Sequence, residues 1–129
     1  MRVAAIGWVL ALLIASQAAA HHSSAMFDRS RTLTLKGTIK EYQFVAPHSW
    51  ISIIVPGEGG AEVRWDVEGA TASRMASQGI TPAKLKVGDK VTIRAHPLRD
   101  GRTGAALIDI TFEDGTVFTN NTTKLPVGQ

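Results

Sequence analysis

The chain has 129 residues, 44% of them hydrophobic and 19% charged, with a formal net charge of +3 at neutral pH and no cysteine. That length fits one small domain with a modest core. So mild a basic excess, with no run of Lys and Arg, argues against nucleic acid as the main ligand, and the lack of cysteine excludes disulfides, thiolate metal sites and thiol catalysis.

Residues 1–20 read as a signal peptide: Arg2, an apolar core from Val3 to Ala15, then Ser16, Gln17 and three alanines. The core is shorter than the roughly 20 apolar residues a membrane span needs. Export is therefore expected, with cleavage after Ala20, a periplasmic or secreted destination and no stable membrane span afterwards. Residues 21–32 form an N-terminal extension.

From Leu33 the apolar residues recur with period two. In "LTLKGTIKEYQF" Leu33, Leu35, Gly37 and Ile39 share one phase, which then jumps to Tyr42 and Phe44. A one-residue slip inside a long strand signals a β-bulge near Lys40-Glu41. "SWISIIV" follows as a second strand, "PGEGG" as a hairpin turn and "AEVRWDVE" as the return strand, with Val63, Trp65 and Val67 against Arg64, Asp66 and Glu68. "GATASRMASQG" loses the alternation and reads as a helix of two to three turns ending at Gly79. "KVTIRAHPL" and "AALIDITF" are the last two strands, the latter with Ala106, Ile108, Ile110 and Phe112 in one phase; residues 114–129 read as a C-terminal tail. A long bent strand, a hairpin, a short helix and two more strands is the element order of an oligonucleotide/oligosaccharide-binding (OB) barrel. The fold expected is all-β with one short helix, an OB-like five-stranded barrel over residues 33–113. A small β-sandwich is the alternative.

The segments "HHSSAMFD", "GTIKEYQFVAPHSWISI", "WDVEG" and "LKVGDKVTIRAHPLRDGRTGA", in that order, resemble a family of small exported bacterial proteins catalogued only as a domain of unknown function. The resemblance covers nearly all of the chain after the leader. It implies an exported small β-domain and assigns no activity.

All four histidines fall at element edges: His21 and His22 after the leader, His48 after Pro47 at the start of the second strand, and His96 before Pro97 at the end of the fourth. Neutral imidazole is the commonest protein metal ligand. Cleavage after Ala20 makes His21 the first residue, so its amine and ring can chelate one ion, with His22, His48 or His96 completing a nitrogen set suited to copper. Cleavage after Ala18 or Ala19 puts a histidine third, where amine, amides and imidazole offer the square-planar nitrogen typical of Cu(II) or Ni(II). Solvated terminal histidines, and hydrogen-bonded ones beside prolines, are the plainer reading. The sequence thus suggests an exported binding protein rather than an enzyme, with copper as the cofactor. A second reading is a metal-independent module that takes a small ligand or an envelope protein on a face around Tyr42, Trp50 and Trp65. Ser23, Ser24 and Ser49 lack a nucleophile-elbow context, and "GEGG" sits in a hairpin rather than before a helix, so neither a serine hydrolase nor a phosphate loop is indicated.

Overall fold

The computed structural model describes residues 25–120; the leader, His21, His22 and residues 121–129 lie outside the described residues. The elements are β1 (Leu33–Gln43), β2 (Trp50–Pro56), a 3₁₀ turn at Glu58–Gly60, β3 (Glu62–Glu68), α1 (Ala72–Ser77), β4 (Lys90–Pro97), β5 (Gly104–Phe112) and β6 (Val117–Thr119). The strands run β3-β2-β1-β4-β5-β6, and a parallel pairing of β3 with β5 (Asp66–Glu68 beside Gly104–Ala106) closes the first five into a barrel. This is the OB order, with β6 as an addition; the sandwich alternative is not adopted.

Closure depends on β1 serving two neighbours. Its first half, Leu33 to Thr38, pairs with β4, and its second, Thr38 to Gln43, with β2, with a register shift between Ile39 and Glu41. The bulge lies where the sequence phase slips, so Leu35 and Ile39 before it and Tyr42 after it all face inward. Gly37 sits at the bend. A Cβ there would lie 2.5 Å from the Ile54 carbonyl oxygen, so only glycine lets β2 cross this closely.

A second bulge, in β5, overturns the single apolar phase expected for that strand. Arg94 pairs with Asp109 but Ala95 with Leu107, leaving Ile108 as the extra residue. Ala105 and Leu107 are buried before it, Ile110 and Phe112 after it, and Ile108 is half-buried. The bend has a use: β5 pairs with β3 at 104–106 and then with β6 at 109–111. Asn120 closes the bulge, its amide nitrogen donating to the Ile108 carbonyl (2.8 Å) and its side chain to that of Leu107 (3.0 Å). The sheet therefore continues past residue 113, where the sequence suggested a tail.

Fully buried Ile39, Ile51, Ile53, Ile93 and Ile110 form the barrel core, with Met75, Ile80 and Leu85 packed on it from the helical connection. Burying each such side chain contributes roughly 1.5–3 kcal/mol. Helix α1 starts on Thr71, whose hydroxyl accepts from the Arg74 amide at 3.4 Å. At six residues it is shorter than expected. Gly79, at φ +87°, turns the chain away, and a Cβ there would strike the Phe118 ring at 2.4 Å. The N-terminal extension is also tied down. Phe27 is buried and bridges Leu98, while the amides of Asp28 and Arg99 donate to the carbonyls of Pro97 and Met26. Among the described residues no helix is long and apolar enough to cross a membrane.

Gly37→Ala should lower unfolding free energy by about 1–3 kcal/mol in urea titration, because the added methyl meets backbone. Gly104→Ala should cost less, because its methyl meets the movable end of Leu98. Hydrogen bonds from Thr116, side chain first and then backbone, with a further one from the Lys84 ammonium, lower the Asp114 pKa from 3.8 to about 2. A depressed folded-state pKa stabilises above the unfolded value and loses that contribution as pH falls through the folded one. Urea midpoints measured between pH 5 and pH 2 should therefore fall more steeply for the wild type than for Asp114→Asn.

Candidate functional site

Alternation and register assign the outward side chains. On the outer face, Gln43 pairs with Trp50, Trp50 with Glu68, Glu68 with Ala106 and Ala106 with His96. Directly opposed residues share a face, so this is one row crossing all five barrel strands. His48, in the β1–β2 loop behind a cis Ala46–Pro47 bond, joins the row through its Nδ1, 3.1 Å from Glu68 Oε1. Two of the four expected histidines thus sit at one end and on one face of the barrel. By strand spacing, the Cα atoms of His96 and Glu68 are about 10 Å apart, with only the small Ala106 between them.

Both rings are held the same way. His96 Nδ1 lies 2.8 Å from the Arg31 carbonyl oxygen, which can only accept, so the ring is the donor and carries its proton on Nδ1. For His48 the acceptor is the half-buried Glu68 carboxylate. In the neutral form of each ring, Nε2 is the nitrogen left with a lone pair. A ring nitrogen bonded to a carboxylate or carbonyl, with the other left open, is how proteins orient metal-binding imidazoles. Among the described residues no three His, Cys, Asp or Glu side chains converge on a metal position, so these two rings do not make a complete ligand set.

The aromatic face drawn from the sequence is divided. Trp50 points outward and is 39% exposed. Tyr42 and Trp65 belong to the inward phase and pack on the core, Tyr42 against Phe44 with ring centroids 5.2 Å apart. Beside Trp50 lies a polar network that single-strand patterns miss. Ser52, 5% exposed, donates to Asp66 Oδ1 (2.5 Å) and accepts from Arg64 Nη2 (2.8 Å). Arg64 Nε donates to the same Asp66 oxygen at 3.0 Å and Nη2 to Glu41 Oε2 at 3.3 Å; Gln43 bonds the other Glu41 oxygen at 3.2 Å. Asp66 first, then Glu41, raise the Arg64 pKa and keep the guanidinium charged. Alternation in "EVRWDVE" puts Arg64 and Asp66 on one face, but only cross-strand register adds Glu41 and Ser52.

A cavity of about 310 Å³ opens over this network. A larger groove of about 800 Å³ runs elsewhere, between the tip of the β2–β3 hairpin and strands β1, β4 and β5. Its rim lysines, Lys36, Lys40 and Lys90, are exposed, and among the described residues no histidine lines it.

The fold and this face define a small closed β-barrel of OB type with an oriented histidine pair and a polar outer surface. The chain belongs to a family of unknown function (DUF6152), whose model matches residues 9–107, in keeping with the resemblance read from its motifs. No curated protein and no solved structure matches it.

The ring geometry is open to direct measurement. Long-range ¹H–¹⁵N correlation spectra at pH 8 should show both His48 and His96 as the Nδ1–H tautomer. A His96 protonated on Nε2 instead would contradict the bond to Arg31.

Proposed function

We propose that this is an exported, metal-binding protein of the bacterial envelope, with His48 and His96 presenting Nε2 to a transition-metal ion. The observation that carries the reading is the shared orientation: each Nδ1 is committed to an oxygen, one of them a carbonyl that can only accept. Nitrogen-rich sites favour Cu(II) among the available divalent ions, and copper is the ion we assign. His21 and His22 supply the remaining donors when the leader is removed. The chain length permits this. Ala25, three positions after His22 in the sequence, is tied beside Arg99 by a hydrogen bond from the Arg99 guanidinium to its carbonyl. The leader pattern supports export.

The test is a competitive Cu(II) titration of protein purified from the envelope fraction, with its N-terminus established by intact mass. His48→Ala and His96→Ala should each weaken Cu(II) binding at least tenfold, and Glu68→Gln about tenfold through loss of ring orientation. Affinity unchanged in the His48/His96 double variant would confine copper to the terminus and remove the barrel from the site.

A further inference from the structure

We propose that the outer face of β2 and β3 is a saccharide subsite, with Trp50 as the platform under one sugar ring and Arg64 with Asp66 as the pair that grips two adjacent hydroxyls. This inference is independent of the metal reading. It starts from what the network leaves unused. Its hydrogen bonds engage Nε and Nη2 of Arg64 and Oδ1 of Asp66. Among the described residues, Arg64 Nη1 and Asp66 Oδ2 have no partner. A fixed donor beside a fixed acceptor matches a vicinal diol, in which one hydroxyl accepts while its neighbour donates.

The network is preorganised. Ser52 lies under it, almost fully buried, and holds both partners, so little side-chain freedom is lost when a ligand binds. Ser52 opposes Asp66 and Trp50 opposes Glu68, so Trp50 is the diagonal neighbour of Asp66, about 7–8 Å away along the face. That register places the indole and the carboxylate at neighbouring positions of one face. The indole is exposed although two other aromatic residues nearby, Tyr42 and Trp65, are tucked inward. The cavity of about 310 Å³ is at the lower end of ligand-site sizes, suited to a small sugar unit on an open strand face.

Charge selects among ligands that stack on indole. Glu41, Asp66 and Glu68 repel phosphate, which disfavours a nucleotide. An ammonium group is drawn to the same carboxylates, but it only donates hydrogen bonds and leaves Arg64 Nη1 without an acceptor, whereas a polyol both accepts and donates.

The experiment uses the full chain with EDTA present, so that metal plays no part. Glucose, galactose and N-acetylglucosamine trisaccharides are titrated with the Trp50 indole N–H read by NMR and heat by calorimetry, beside a thymidine trinucleotide and spermidine. At least one trisaccharide should give a saturable Trp50 shift. Trp50→Ala should weaken its binding at least tenfold, and Arg64→Lys, which keeps the charge and loses the fork, by a similar factor, with circular dichroism verifying that both variants fold. Failure of every trisaccharide to shift Trp50, binding that survives both substitutions, or saturation of this face by the trinucleotide or spermidine instead would overturn the proposal. Copper binding lost with saccharide binding retained would refute the metal reading alone, and the reverse would refute this one alone.

Discussion

The bend in β1 is the constraint on which the rest of the barrel rests. One strand has to supply hydrogen bonds to β4 over its first half and to β2 over its second, and a flat ladder cannot turn that corner. The extra residue between Ile39 and Glu41 supplies the turn, and Gly37 supplies the clearance, since any side chain would occupy the space of the Ile54 carbonyl. With the corner made, β2 and β3 fold over far enough for β3 to lie parallel to β5 and close the cylinder. Closure in turn shields the isoleucine core, which is the main favourable term for a domain this small.

The opposite side of the barrel solves a related problem with different chemistry. β5 must leave β3 and meet β6, and its bulge at Ile108 exposes carbonyls that the regular ladder would have paired. Asn120 takes them, which explains a buried polar residue at the end of the last strand. The same shift brings Asp109, 4% exposed, opposite Arg94, whose guanidinium meets it with a forked set of bonds. A buried carboxylate is tolerable there because its cation comes from the neighbouring strand and reaches over it from solvent.

The histidine face is a product of closure, and the polar network of register across β1, β2 and β3. His48 and His96 are 48 residues apart in number, and only the β3–β5 pairing puts Glu68, the partner of one, two strands from the other on a common face. The saccharide surface is likewise shared by three strands, with Glu41 from β1, Trp50 and Ser52 from β2, and Arg64 and Asp66 from β3. OB barrels use the face of strands two and three for ligands, and the Ser52–Arg64–Asp66 network of this chain lies there. The two surfaces adjoin at Trp50 and Glu68.

By itself the sequence determined what depends on neighbours along the chain. Alternation marked the strands, glycines and prolines marked the turns, and the phase slip before Tyr42 located the bulge, because side chains in a strand change face every residue and any error in count is visible locally. The order of those elements was enough to indicate an OB barrel. Only the tertiary structure decided what depends on register between strands: the β5 bulge hidden by an unbroken apolar run, the strand formed by residues 117–119, and the meeting of Arg64 with Ser52 and Glu41. Period two says which residues share a face of one strand. It carries no information on which residue of another strand lies opposite, and that is set by where the barrel bends and closes.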